Sequence, residues 1–435
     1  MQLPGWLITV FYFFAALYPL VLVHELGHFT MAKLNRIRVE EFGLGFPPRA
    51  LRLFTAGGTD YTLNWLPLGG FVRLFGEDDP TEPGAFAAAR PRARAAVLLA
   101  GPFSNFLLTI LILSGIAAAW GVERADFVRI GKVSEGQPAA AAGVADGDIV
   151  LTVNGRPAGS FAPEGTMAGR EAIDGMVAAT GASADQPLQL TLLRGAGEPV
   201  TERAPAALQL GAPRADIAAR PVIAGGAADG PLAANNLVYA PRDVALGQRE
   251  PRAGESLMVL PVRSGATLEA VALTVTPRRD ATSGDARMGV EIGPLAYPEK
   301  VPLWRAPVYG VNSTVGMLGT MITGLARMIG GTAKVEVAGP VGIARLSRQA
   351  GESGWMTLLQ FAAILSANLG LINLFPIPGL DGGRLLFVGI EAVRGRRVEP
   401  RREAIVHALG IAFVLLLMLS ITVFEVFHPL AIGQP

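Results

Sequence analysis

His24, Glu25 and His28 stand in the order His-Glu-Leu-Gly-His at the end of an apolar run that begins near Trp6. Two histidines four apart on an α-helix lie one turn apart and about 40° apart around its axis, so both imidazoles can reach one metal ion. Glu25 then points beside the same site, where it can take a proton from a water acidified by the metal. The chemistry on offer is metal-assisted hydrolysis. A chance match in a hydrophobic helix is the bland alternative, but ionisable groups inside a membrane-length run are functional by default because hydrocarbon penalises them.

A catalytic zinc ion takes three protein ligands and a water, so two histidines need one more His, Asp or Glu; the chain has no cysteine. His407 and His428 fall at opposite ends of a later apolar run, where a histidine is more often an interfacial residue than a ligand, and Glu425 falls near its outer end. Asp381 is the acidic residue inside Asn373-Leu374-Phe375-Pro376-Ile377-Pro378-Gly379-Leu380-Asp381-Gly382-Gly383, and it is the expected third ligand. Asn373, on the same stretch, has an amide suited to hydrogen-bonding a scissile carbonyl or a developing oxyanion. Its structural alternative is to satisfy backbone groups freed by Pro376 and Pro378.

These residues need elements that bring them together inside a bilayer. The 435 residues are 51% hydrophobic and 17% charged, below the roughly 25% charged of a soluble domain, which favours a membrane protein. Apolar runs near 6–28, 95–119, 356–374 and 405–427 each approach the roughly 20 residues that span a bilayer as a helix. Arginines and lysines crowd 29–94 and 394–402, placing both loops in the cytoplasm and the ends and 120–355 outside it. At 1.5 Å per residue, His24 and Asn373 then each lie about 27 Å below the outer face, near the cytoplasmic leaflet. The third run cannot continue as one helix through its prolines and glycines, and irregular backbone at that depth is tolerated only where protein or water meets it. Lys+Arg 37 against Asp+Glu 36 gives a net charge of +1 and no reason to expect a nucleic-acid partner. The amino end could pass for a signal peptide, but it lacks a basic n-region, and its cleavage would discard the histidines.

Taken together, His24-Glu25-Leu26-Gly27-His28 and Asn373 to Gly382 resemble the site-2 family of intramembrane zinc metalloproteases, in its bacterial regulator of sigma-E protease branch. Ala100-Gly101-Pro102-Phe103-Ser104-Asn105 is similar to that family's Gly-Pro…Asn element, with a packing kink as the plain alternative, and Gly339-Pro340-Val341-Gly342 is similar to its segment before the third span. Val133 to Ala139, with Asp146-Gly147-Asp148 and Asn154-Gly155, resembles a PDZ domain of the kind attached to periplasmic proteases. Residues 257–265 faintly echo 187–195, leaving a degenerate second PDZ or a long insertion open.

The resemblance implies a polytopic core of about four transmembrane helices, with an inserted extracytoplasmic β-rich PDZ region and a membrane-associated β-hairpin over Tyr61–Phe75. The expected parts are 1–119, 120–205 for the PDZ domain, 206–297 for the second PDZ or insertion, 298–354 as an amphipathic connecting segment, and 355–435. It further implies an enzyme of the inner membrane that uses Zn²⁺ held by His24, His28 and Asp381, with Glu25 as base and Asn373 assisting. Its partners would be the lipid bilayer and a pre-trimmed single-pass protein, such as an anti-sigma factor or a signal-peptide remnant. A membrane-tethered PDZ scaffold with a non-catalytic metal site is the alternative.

Overall fold

A computed structural model describes residues 4–77, 81–157, 168–214, 220–225, 231–240, 244, 249–263, 265–280, 285–299, 301–330, 338–396 and 398–427. The chain divides into two compact units, one of residues 1–119 with 302–435 and one of 120–301.

In the first unit, α1 (Gly5–Leu34), α2 (Pro91–Ala119), a later helix over Trp355–Leu374 and the stretch Arg402–Glu425 are long and apolar enough to cross a membrane. Lipid gives apolar faces no reason to pair, so small residues that allow close backbone approach decide the packing. Helix α1 buries Ala16, Leu20, His24, His28 and Ala32, a four-residue repeat that makes one stripe. Gly27 lets it approach α2: a Cβ there would lie 2.3 Å from Ser104 Oγ and 2.5 Å from the Ala100 carbonyl oxygen.

Between these helices lie β1 (Val39–Ala56) and β2 (Thr59–Leu74), joined at Gly57 and Gly58, both with positive φ. Val39–Leu44 is flanked on both sides by β2. It runs against Gly70–Leu74 through Val39↔Leu74, Phe42↔Val72 and Leu44↔Gly70, and it also faces Asp60–Leu63 through Glu41↔Asp60 and Leu44↔Leu63. The outer part of β1 closes a hairpin on β2 through Arg49↔Asn64 and Ala56↔Thr59. The hairpin expected over Tyr61–Phe75 is therefore corrected: its two arms do not pair with each other, because Val39–Leu44 stands between them. The loose alternation of the sequence locates strands but carries no information about a partner some twenty residues away. Glu41 is buried in this sheet, with Arg49 Nη2 at 3.0 Å, Arg73 Nη1 at 3.1 Å and Thr62 Oγ1 donating at 2.8 Å. Leu51, Leu53, Phe54 and Trp65 are exposed on its outer part.

The second unit holds a sheet of β3 (Val122–Val133), β4 (Ile149–Val153), β5 (Arg156–Pro157), β6 (Leu188–Arg194), β12 (Glu269–Val275) and β15 (Val290–Glu299), in the order β12-β6-β4-β3-β15 with β5 on β4. Short α3 (Pro138–Ala141) and α4 (Ala168–Ala182) accompany it, and Met176 of α4 enters a core with Val128, Ile130, Val150 and Leu190. Asn154 and Gly155 both take positive φ at the tight β4–β5 turn. The Asp146-Gly147-Asp148 turn is fixed by Arg194, whose Nη2 lies 2.7 Å from buried Asp148 Oδ2, and by Val133 N–H donating to Asp146 Oδ1 at 2.7 Å.

A second sheet comprises β7 (Val200–Arg203), β8 (Gln209–Arg214), β9 (Arg220–Gly225), β10 (Leu237–Ala240) and β11 (Ser256–Leu260), ordered β7-β11-β10-β9-β8. The chain leaves the first sheet after β6 and returns to it at β12, with the ribbon β13 (Arg278–Arg279) and β14 (Ala286–Arg287) before β15. Thr274 and Val275 thus pair with Gln189 and Leu188 of the first sheet. The two sheets share a core through Ile149, Leu193, Leu237, Met258 and Leu268, so boundaries at 205 and 297 do not fall between separate sheets.

Back in the first unit, α5 (Ala306–Ile329) packs on α2 by burying Ala306 and Thr314, with Gly310 between them. A Cβ at Gly310 would lie 2.2 Å from Ser114 Oγ. The first helix of the expected amphipathic segment at 298–354 is thus laid against α2. Helix α6 (Pro340–Glu352) leads into α7 (Trp355–Leu374), which ends where Phe375 turns to extended backbone. After the irregular 375–380 stretch come α8 (Asp381–Arg394) and α9 (Pro400–Phe427), so the break expected after the third apolar run is present.

Candidate metal centre

Helix α1 carries His24 and His28 on its buried stripe, and α8 begins with Asp381, so the three side chains arrive from two distant parts of the chain. His24 Nε2 lies 3.1 Å from Asp381 Oδ2, His28 Nε2 lies 3.2 Å from the same oxygen, and the two Nε2 atoms are 3.1 Å apart. Bonds of about 2.0–2.1 Å in a tetrahedral zinc site would separate its ligands by about 3.3 Å, so a near-equilateral triangle of this size fits three donors to one ion. Asp381 Oδ2 is buried and faces only the two imidazole nitrogens, an environment that fits a carboxylate oxygen binding a cation. Among the described residues, these three form the cluster of His, Asp and Glu groups able to hold a metal.

The other ring nitrogens are held from behind. His28 Nδ1 donates to the Val97 carbonyl at 2.8 Å, which fixes the tautomer and frees Nε2 as a donor atom. Asn105 Nδ2 lies 3.1 Å from His24 Nδ1, and Asn105 Oδ1 is buried without a partner. An amide turned end for end puts Oδ1 in that place as the acceptor of Nδ1–H, leaving His24 Nε2 unprotonated and able to bind a metal as well. The Asn105 backbone is itself held, because Ser366 Oγ of α7 and Thr109 Oγ1 both donate to its main-chain carbonyl at 2.9 Å. One turn earlier, Gly101 leaves room for the imidazoles. Gly101 and Asn105 thus answer His28 and His24 with a matching spacing of four, a signal in the sequence that the plain reading as a packing kink passes over.

Asp381 is delivered by a tightly folded connection. A Cβ at Gly382 would lie 2.2 Å from the Phe375 carbonyl oxygen, and one at Gly383 would lie 2.4 Å from that of Ile377. Helix α8 is anchored by a buried ion pair of Arg94 on α2 with Glu391, and by Arg384 Nη1 at 2.9 Å from Glu77 Oε2.

Glu25 is half-buried on α1, with Val72 of β2 beside its carboxylate. A Cβ at Gly70 would come within 3.4 Å of Glu25 Cγ. Gly70–Leu74, which pairs with Val39–Leu44, therefore runs beside this carboxylate. Asn373 is half-buried near the end of α7, and its Nδ2 donates to the Leu369 carbonyl at 3.0 Å, so it is engaged with its own helix rather than with the histidine–aspartate cluster. His407 is buried and bonds the chain just before Asp381, while Glu425 is 2% exposed and accepts from the N-terminus of α6 through Gly339 N at 2.7 Å. His428 lies outside the described residues.

The model of peptidase family M50 matches residues 12–417. The chain is 30% identical over 450 residues to the regulator of sigma-E protease of Escherichia coli K12, covering 96% of this chain and 98% of that one. Against the regulator of sigma-W protease of Bacillus subtilis it is 29% identical, covering 95% and 97%. Against a zinc metalloprotease of Geobacillus kaustophilus it is 30% identical, covering 93% and 94%.

Proposed function

The chain belongs to peptidase family M50 and is a zinc metalloprotease, and from that premise we propose how its residues cut a peptide bond and in what substrate. His24, His28 and Asp381 hold the zinc; the observation that carries this assignment is the convergence of their three donor atoms at 3.1–3.2 Å. Zinc, when bound there, supplies a Lewis acid that makes water nucleophilic at neutral pH and polarises a carbonyl. Glu25 takes the proton of the attacking water and hands it to the leaving nitrogen. The second N–H of the Asn373 amide, not used by Leu369, is available to a scissile carbonyl.

A transmembrane helix hides its peptide bonds in its own hydrogen bonds and must be unwound before hydrolysis. Gly70–Leu74 has strand geometry and lies next to Glu25, which supports a role in holding the unwound segment by strand addition. The exposed Leu51, Phe54 and Trp65 support a resting place for this sheet in the lipid. The substrate in this reading is a pre-trimmed single-pass membrane protein, with an anti-sigma factor favoured because two relatives are named regulators of sigma-E and sigma-W. The enzyme would sit in the cytoplasmic membrane with its zinc near the inner leaflet and residues 120–301, as a PDZ-containing region, outside. A scaffold whose metal site does no chemistry would have no need of a carboxylate such as Glu25 beside the cluster.

The test is cleavage of a truncated single-pass reporter by the purified wild-type chain, Glu25→Gln and Asp381→Ala, with zinc measured on each. Zinc in wild type and Glu25→Gln, cleavage in wild type alone and zinc loss in Asp381→Ala are expected. A zinc-replete, active Asp381→Ala protein would remove the ligand assignment, and normal turnover by Glu25→Gln would remove the base.

A further inference from the structure

The connection that delivers Asp381 is irregular backbone between two apolar helices, where each N–H needs a partner. Phe375 N, Ile377 N and Leu380 N donate to the carbonyls of Ile372, Phe375 and Ile377, all within the connection or the helix end before it. Gly379 N–H is different: it donates at 2.9 Å to Nδ1 of His407, 28 residues further on in α9. His407 is 9% exposed, and its ring packs on Phe387 of α8 with centroids 5.4 Å apart. The contact is closed by glycines. A Cβ at Gly410 would lie 2.1 Å from the Pro378 carbonyl oxygen, and Gly379, with φ of +97°, comes within 2.9 Å of Ile411 Cγ1 through the Cβ it lacks.

We propose that His407 is a positioning residue for zinc: by accepting the Gly379 N–H it fixes the turn two residues ahead of Asp381 and so sets where Oδ2 stands relative to His24 and His28. The inference rests on Asp381 being a ligand. A ring nitrogen that accepts a hydrogen bond carries no proton, so His407 works here as a neutral imidazole protonated on Nε2. Without that acceptor the turn keeps only its local bonds, and a half-buried N–H is orphaned beside a ligand whose useful tolerance is a fraction of an ångström. Outer partners of metal ligands commonly govern affinity by about 10–100-fold.

The side-chain amides separate this role from simple packing. Asparagine places its oxygen close to where histidine has Nδ1, and glutamine places it near Nε2, away from Gly379. Full-length wild type, His407→Asn, His407→Gln, His407→Phe and Asp381→Ala would be purified in detergent and dialysed against a graded chelator series. Zinc content and the thermal unfolding midpoint of each zinc-free protein would be recorded. The expected result is a zinc affinity within about threefold of wild type for His407→Asn, and about 10–100-fold weaker for His407→Gln and His407→Phe. Equal affinities for the Asn and Gln variants, or weakening that tracks the zinc-free unfolding midpoint across the series, would overturn it. If the Phe variant does not fold, the Asn and Gln pair decides. Wild-type zinc retention in Asp381→Ala would overturn the ligand assignment and this inference together, whereas zinc loss in Asp381→Ala with wild-type retention in His407→Gln would overturn this inference alone.

Discussion

Gly101 on α2 lies against the Nε2 edge of His28 on α1: a Cβ at residue 101 would stand 2.4 Å from His28 Nε2 and 2.7 Å from His24 Nε2. Both contacts are closer than a real Cβ atom makes, and the obstructing atoms are the ring nitrogens proposed as zinc ligands. Gly101→Ala should therefore drive α2 away or turn the imidazoles off their positions. The expected outcome is at least a tenfold loss of bound zinc and of reporter cleavage, while the helix content measured by circular dichroism stays at the wild-type level. Full zinc content in the alanine variant would show that the two helices can separate without cost to the site.

Asn105 holds His24 as the Val97 carbonyl holds His28, and a side chain can be replaced where a carbonyl cannot. Asn105→Ala should weaken zinc by about 10–100-fold, measured by competition with a chromophoric chelator. Asn105→Asp, which keeps an acceptor at Nδ1, should retain most of the affinity. An alanine variant that binds zinc as wild type does would reduce Asn105 to a packing residue between α1, α2 and α7.

The residues proposed to do chemistry were legible because each violates the apolar run it sits in: two imidazoles and a carboxylate at the end of α1, and Asp381 behind a Pro-Gly break. Four membrane-length helices follow from apolar length alone, and the break after α7 follows from Pro376 and Pro378. What was not legible depends on pairing between distant segments. Val39–Leu44 sits between two parts of β2, and β12 returns to β6 across a whole second sheet, and neither leaves a local mark in the sequence. Asn105 and His407 were hidden for a similar reason: a polar residue in a helix declares that it needs a partner, but not whether that partner is backbone or a ligand.

Near the C-terminal end of α9, Glu425 is a buried carboxylate whose Oε1 accepts from Gly339 N at 2.7 Å and from Gly342 N at 3.2 Å. It occupies the N-terminus of α6, where free N–H groups and the helix dipole favour an anion. A Cβ at Gly342 would lie 2.4 Å from Oε1, so the glycine is needed for the contact. Glu425→Ala should cost about 1–3 kcal/mol of stability by leaving these N–H groups unpaired. Because the contact lies toward the opposite end of α9 from His407, the variant's zinc affinity should match wild type, and a fall in affinity comparable to that of His407→Gln would contradict the division of labour between the two ends of the helix.

Arg94 and Glu391 form an ion pair in which the arginine is only 3% exposed, tying the first turns of α2 to the last turns of α8. Breaking such a pair on one side leaves the other charge buried alone and costs about 3–5 kcal/mol, whereas removing both is often close to neutral. Glu391→Leu should accordingly be more damaging than the pair Arg94→Met with Glu391→Leu. The second anchor of α8, Arg384 with Glu77, is more exposed and should contribute less, about 0–1 kcal/mol. Detergent unfolding midpoints of the two singles and the double form a closed cycle. If α8 is placed chiefly by this pair, zinc retention should follow the same order, lowest in Glu391→Leu and partly recovered in the double variant. Additive losses in the cycle would mean that Arg94 and Glu391 act independently, and that Asp381 is held by its own connection rather than by the far end of its helix.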